Sequence, residues 1–398
     1  MRPNRPVYLD NQATTPCDPR VLAVMLPLFS EQFGNPHSVE HAMGRAAEAA
    51  TETARAEVAA LIGAEPREII FTSGATEANN LAIKGAARHA AWMGNPRRRI
   101  ITVATEHKCV LESAADLARE GFEPVVLPVR PDGTLDPAVL AAALAEPTLL
   151  VSVMAVNNET GVIQDVASLA ALAHAAGALF HTDAAQAAGK IGLDVAGQTL
   201  DLVSISGHKL YGPKGVGALY VRRRPRVRLA PLLSGGGQER GLRSGTLPAP
   251  LLAGFGAACR IARAEMTEDA ARITGLRGRL LAALGAAVPD LVVNGDHAEK
   301  IPGSLNLTFP RRDAAALMAA CPDLCVSTGS ACSSAAVEPS YVLRAMGLDP
   351  AAAGRSLRIG IGRFTSPADI DYAAAALSAA HNSETPHPVM PASPMIEA

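Results

Sequence analysis

Between residues 66 and 221 the chain alternates between short apolar runs and longer Ala-rich stretches with helical spacing. The runs cover 69–71, 100–103, 124–127, 149–156, 178–180, 202–205 and 217–221, and each gives way to small polar residues. Apolar, β-branched runs without polar alternation fit strands covered on both faces, as in a parallel sheet flanked by helices. This alternation predicts an α/β fold with a large domain built on a mainly parallel seven-stranded sheet. Near Glu265 the pattern changes. A long helical stretch through 270–287 is followed by short strands at 291–293, 304–309 and 357–361, separated by helices, which predicts a smaller α+β C-terminal domain. The expected division is a large domain over 16–262 and a small domain from 1–15 and 263–382, carrying a Gly/Ser-rich loop at about 326–337. From Ser383 on, Pro386, Pro388, Pro391 and Pro394 interrupt a stretch with no periodic apolar pattern, so 383–398 is expected to be a disordered tail.

Composition adds bounds. Hydrophobic residues make up 48% of 398 positions, enough for a sizeable core. A formal net charge of −2 supplies no field for nucleic acid or an anionic membrane. No apolar run approaches a membrane span. The first strand-like run starts at Val7 with no basic segment and long apolar stretch before it, so no signal peptide and a cytoplasmic location are expected. Six cysteines (Cys17, Cys109, Cys259, Cys321, Cys325, Cys332) are scattered, which suits reduced thiols better than a disulfide framework. Cys321 and Cys325 have a spacing used by zinc knuckles, but no second pair follows, and two unpaired thiols is the simpler reading. The basic run through Arg222, Arg223, Arg224, Arg226 and Arg228 has no interleaved aromatics. It reads as a solvated strand end or a docking face for an acidic partner, not a nucleic-acid site.

Candidate chemistry gathers where the expected strands end, which is where open α/β sheets bind ligands. Five ends are polar: 72–77, Thr105-Glu106-His107, 157–161, 183–186 and Ser206-Gly207-His208-Lys209. Together they suggest one pocket. A lysine at one strand end and Asp183 at another suit pyridoxal phosphate (PLP), whose aldehyde a lysine holds and whose pyridine nitrogen an acid partners. Gly74-Ala75-Thr76 opens a helix whose backbone N–H groups suit a phosphate, or serves as an ordinary N-cap turn. Asp183 also reads as a helix cap, Lys209 as a surface lysine, and His107 as a structural histidine or as one that stacks on a flat ring or moves protons. Cys332, between Ser330, Ala331, Ser333 and Ser334, sits where a thiol would be open to solvent and partners.

Read in order, these segments resemble the NifS/IscS-type cysteine desulfurases, fold-type I PLP enzymes of the class-V aminotransferase group. The likeness runs over about 7–380 and rests on the motifs at 8–16, 33–36, 71–77, 105–107, 156–161, 181–183, 206–215, 235–241, 243–246, 327–332 and 338–340. It implies that Lys209 holds PLP and shuttles protons, and that Ala75, Thr76, Ser206 and His208 bind its phosphate. Thr246 would reach the phosphate in the other subunit of a homodimer with shared sites. Asp183 would pair with the pyridine nitrogen, Gln186 and Asn158 would contact the ring-oxygen side, and His107 would stack on the ring as a catalytic residue. Arg358, with Asn158, would grip the substrate carboxylate, a task suited to a guanidinium fork. The implied reaction moves sulfur from L-cysteine to the Cys332 thiol as a persulfide and releases L-alanine. The sulfur then passes to an iron–sulfur scaffold, a sulfur carrier or a tRNA-thiolation enzyme. No intrinsic metal site is implied, although Cys332 could ligate a cluster transiently.

The sequence departs from the family pattern at Thr328 and Ser333, at Cys109, and in the proline-rich tail that stands where housekeeping members have a scaffold-docking segment. Two other readings share part of the constellation. A selenocysteine lyase would not need Cys332 for its main reaction. A non-catalytic assembly partner would have no need of Lys209, Asp183 and Cys332 together.

Overall fold

The computed structural model describes residues 6–329 and 339–383. Its strands are β1 (Val7–Tyr8), β2 (Ile69–Thr72), β3 (Arg99–Val103), β4 (Glu123–Leu127), β5 (Thr148–Ser152), β6 (Leu179–Asp183), β7 (Leu202–Ser206), β8 (Gly217–Val221), β9 (Val292–Val293), β10 (Ser304–Thr308), β11 (Leu324–Cys325) and β12 (Ser356–Gly360). The main sheet has seven strands in the order β2-β8-β7-β6-β5-β3-β4. All its pairings are parallel except those of β8, which runs antiparallel to both β7 and β2. β5, β7 and β8 are buried at every position, as strands between two helical layers must be, whereas the edge strand β4 is partly exposed.

Two strands differ from the hydrophobic reading. The apolar run at 149–156 yields a strand only to Ser152. Beyond it the chain stays beside β6 through Val153 N to His181 O and Ala155 N to Asp183 O, then closes a bridge between Val156 and Ile163. β6 continues past its apolar start through the polar His181-Thr182-Asp183. The His181 ring makes this possible because its two nitrogens lie 2.8 Å from Ser152 Oγ and 3.0 Å from Ser204 Oγ, on the neighbouring strands.

A second apolar core lies around the antiparallel sheet β12-β10-β9 and includes Val7 and Leu9 beside Leu305, Phe309, Leu357 and Ile370. β1 pairs in parallel with β11. The helix Ala249–Ala287, 39 residues long, belongs to both cores. Leu252, Phe255, Cys259 and Ile261 pack with the main sheet, and Ile273, Leu276, Leu280 and Leu284 pack with the second core. The composition change near Glu265 is therefore a change in which core the helix faces, inside one continuous helix. Gly256 lets this helix approach the helix Ala42–Leu61, since a Cβ there would lie 2.5 Å from Ala54 Cα. Between the two buried halves, Glu265 and Asp269 bind Arg20 and Arg363, both of which also reach Asp18. None of the helices among the described residues is long and apolar enough to cross a membrane.

Candidate active site

The turn after β2 opens the site. Gly74 has φ +152°, a value that favours glycine, and it starts the 18-residue helix Ala75–Trp92. A Cβ at Gly74 would meet nothing within 4 Å, so the space over the helix N-terminus is open. Glu77 holds the turn from below by accepting from Ser73 N (2.7 Å) and Arg243 Nε (2.9 Å). The first-turn N–H groups of this helix have no intrahelical acceptors, which makes the end attractive to an anion.

β7 delivers the next residues. It ends at Ser206, and a single tight turn, Gly207–Lys209, follows. His208 Nδ1 lies 3.0 Å from Thr14 Oγ1. Burial, then the charges of Lys209, Lys214 and Lys190, push its pKa down to about 4, so the ring is neutral. Lys209 Nζ donates to the carbonyls of Gln12 (2.5 Å) and Ala13 (2.8 Å). The Gln12 carbonyl also accepts from Gln186 Nε2 (2.8 Å), and Gln186 Oε1 accepts from Lys190 Nζ (2.7 Å). Burial, with Lys209 and Arg358 nearby, lowers the Lys190 pKa to about 7.

At the end of β6 both carboxylate oxygens of Asp183 are fixed. Oδ1 accepts from Ala185 N (2.9 Å) and Oδ2 from Asn79 Nδ2 (2.7 Å). Beyond β3, His107 caps the helix Lys108–Asp116, its Nδ1 accepting from Cys109 N at 3.2 Å and lying 3.0 Å from Cys109 Sγ. Arg358 comes from β12. Its Nη2 pairs with Asp10 Oδ1 at 2.8 Å and its Nη1 donates to Asn158 O at 3.2 Å. Its buried Nε and the buried Asn158 Oδ1 have no partner among the described residues.

These groups surround one cavity of about 460 Å³. Ala75, Thr76, His107, Asn158, Asp183, Gln186, Ser206, His208, Lys209 and Arg358 all line it. Thr246 does not; it is exposed. Cys332 and the tail at 384–398 lie outside the described residues, although Gly329 lines the cavity. Cys109, half-buried, lines it as well, whereas Cys321 is buried and Cys325 half-buried, both as free thiols. Among the described residues no cluster of three or more His, Cys, Asp or Glu side chains is placed to hold a metal.

The sequence reading did not single out several supporting residues. Asn79 lies just beyond the 71–77 motif, and the Gln12 carbonyl is a backbone group without a side-chain signal. Glu106 is fully buried, accepts from Met154 N at 2.5 Å, and burial raises its pKa well above the carboxylate range. Glu159, accepting from Ser340 Oγ at 2.5 Å, is likewise raised by burial. Both stood inside motifs already noticed at 105–107 and 156–161, which was the available signal.

The aminotransferase class-V family model matches residues 7–373. The chain belongs to this family. Among its class-V relatives, a human cysteine desulfurase is 55% identical over 368 residues, 92% of this chain and 80% of that protein. A cysteine desulfurase IscS from Rickettsia bellii is 53% identical, over 92% of this chain and 89% of its own length. A solved NifS-like protein superposes with a TM-score of 0.86 at 36% identity, covering 95% of this chain and 98% of that one. SspA, solved in complex with cysteine, gives 0.80 at 36% identity, covering 90% and 99%. The family's cofactor is PLP. The donor set in the cavity fits it: an open helix N-terminus and neutral donors for a phosphate, an amine for an aldehyde, and a fixed carboxylate for a ring nitrogen.

Proposed function

We propose that this protein is a cysteine desulfurase that removes sulfur from L-cysteine, leaving a persulfide on Cys332 and releasing L-alanine. The observation that carries the reading is the meeting of Lys209, Asp183 and Arg358 in a cavity that Gly329, three residues before Cys332, also lines. Bound PLP supplies an electron sink that weakens bonds at the substrate carbon. Ala75, Thr76, Ser206 and His208 hold its phosphate, Asp183 pairs with its ring nitrogen, and Gln186 and Asn158 contact its ring-oxygen side. Lys209 Nζ carries it and moves protons at the substrate. Arg358, helped by Asn158, takes the substrate carboxylate, and its unsatisfied Nε adds a donor. His107, which lines the same cavity, would stack on the PLP ring. The Cys332 thiol attacks the substrate sulfur; the S–S bond forms as the C–S bond breaks, and the carbon takes up a proton to give alanine.

Thr246 is exposed, which suits a contact with the phosphate in a second copy, so the working unit is a homodimer with shared sites. The sulfur then passes to an acceptor protein, an iron–sulfur scaffold or a sulfur carrier, in the cytoplasm. The domain division at 16–262 against 1–15 and 263–382 belongs to the same proposal, with substrate grip and cofactor on different cores. The test is release of alanine and sulfide from L-cysteine with a reductant, wild type against Cys332→Ala, with the cofactor band recorded for each. Turnover by the wild type alone, with cofactor in both, supports the reading. Full activity in Cys332→Ala replaces it with a lyase that does not use this thiol.

A further inference from the structure

Cys109 lies in the cavity beside His107, and the hydrogen bonds around the pair fix more than the position of a thiol. His107 is the N-cap of its helix, so the backbone N–H of Cys109 points at His107 Nδ1 from 3.2 Å. That nitrogen therefore presents a lone pair. Cys109 Sγ lies 3.0 Å from the same nitrogen and 3.1 Å from Asn79 Nδ2. Asn79 Nδ2 also reaches Asp183 Oδ2 at 2.7 Å, which settles the orientation of the amide. Turned over, it would set its oxygen against a carboxylate. Asn79 Oδ1 stays buried without a partner among the described residues as a result. An amide nitrogen only donates, so the sulfur accepts from Asn79 and turns its own proton to His107 Nδ1. Two donors then converge on one ring nitrogen, and the proton of a neutral imidazole must sit on Nε2.

We propose that Cys109 is a positioning residue that keeps His107 neutral as the Nε2–H tautomer, so that His107 donates a hydrogen bond into the cavity and takes up no proton during the reaction. The inference rests on the cavity being the reaction site. It separates the two roles open to His107: the ring stacks and donates, and proton transfer is left to Lys209 Nζ. An imidazolium would need a proton on Nδ1, directed at the Cys109 N–H. Among the described residues, the ionisable groups facing the ring are Glu106 from its own turn, Glu159 from the turn after β5, Asp183 through Asn79, and Lys209 and Arg358 across the cavity. Glu106 and Glu159 are raised toward their neutral forms by burial, which weakens the pull of negative charge on a ring proton.

The test is the ring ¹⁵N spectrum of histidine-labelled holoenzyme between pH 6 and 9, with His107→Gln assigning the signal. The expected wild-type result is a bare Nδ1 and a protonated Nε2 throughout. Cys109→Ala keeps the backbone N–H on Nδ1 and removes only the thiol donor, so the ring should begin to titrate at the acid end of this window, toward the ordinary histidine value of about 6.5. It should also cost roughly three- to tenfold in kcat/KM below pH 7, the effect of one hydrogen bond. Cys109→Ser, which keeps a donor, should restore both. A proton on Nδ1 in the wild type, an imidazolium at pH 7, or a Cys109→Ala protein with an unchanged spectrum and pH profile overturns the proposal. If Cys109→Ala fails to hold cofactor, the wild-type tautomer and the serine variant still decide. The spectrum reads the ring whatever the substrate proves to be, so failure of the desulfurase reading is told apart by alanine release.

Discussion

Lys209 Nζ lies 2.5 Å from the carbonyl oxygen of Gln12, a residue 197 positions earlier. A second carbonyl, from Ala13, lies 2.8 Å away. The backbone thus fixes the position of the amine in the cavity. Lys209→Ala should lower kcat by about 10³-fold or more, the scale of losing a positioned nucleophile and proton carrier. The visible cofactor band should shift and the cofactor should dialyse away. A variant that keeps a tenth of wild-type turnover would remove Lys209 from the reaction.

Asp183 is gripped at both oxygens, by Ala185 N and Asn79 Nδ2, so its carboxylate cannot rotate away from the cavity. Asp183→Asn keeps the shape but loses the charge. The expected loss in kcat/KM is about 10²- to 10³-fold, typical of removing one preorganised electrostatic partner. A loss under threefold would show that the ring nitrogen has another partner.

Arg358 binds Asp10 through Nη2, and its buried Nε has no partner among the described residues. Arg358→Lys retains the charge but not the fork. KM for L-cysteine should rise by about 10- to 100-fold with a smaller change in kcat, the pattern of lost ground-state binding. A fall in kcat at constant KM would assign Arg358 to the chemical step.

Stability has its own determinant in a buried ion pair behind the Gly74 turn. Glu239, buried, accepts from both terminal nitrogens of Arg55 (2.7 and 2.8 Å) and from Phe71 N (2.6 Å). It ties the helix Ala42–Leu61 to β2, the strand that leads into the Gly74 turn. Glu239→Ala leaves Arg55 only the exposed carboxylate of Glu52 as counter-charge and should destabilise the fold by about 3 kcal/mol, the lower end for breaking a buried ion pair. Urea unfolding of the holoenzyme measures this, and an unchanged midpoint would refute it.

Buried His181 and half-buried His208 set an acid limit. Burial holds His181 at about 3 and, with three lysines, His208 at about 4, against about 6.5 in an unfolded chain. Between these values the unfolded chain binds protons that the folded one does not, so stability rises with pH through that window. It is fully present above about pH 6.5 and lost as pH falls toward 4 and then 3. The urea midpoint should drop between pH 7.5 and 5, and by less in His181→Asn, which removes one of three such titrations, since burial also lowers the pKa of His381. An equal drop in that variant would trace the acid sensitivity elsewhere.

The strands of the main sheet were legible because burial on both faces leaves apolar runs that no other element here produces. His181-Thr182-Asp183 was not legible as strand, because polar side chains are tolerated in a sheet interior only when neighbouring strands supply Ser152 and Ser204. β1 showed as the apolar run starting at Val7, but its partner β11, two residues long, is too short for any period to register. The residues touching the cavity stood out as polar strand ends and through family likeness. The groups that orient them did not. Asn79, the Gln12 carbonyl and Lys190 acquire their roles only from tertiary placement.

The helix Ala249–Ala287 spans about 58 Å at 1.5 Å per residue. One end of this rod is set in the core that carries Lys209 and Asp183, the other in the core that carries Arg358. Neither core can melt while the other keeps its shape unless the rod snaps near its ion-paired middle. Heat should therefore take the holoenzyme apart in a single cooperative event, with cofactor release and loss of secondary structure sharing one midpoint.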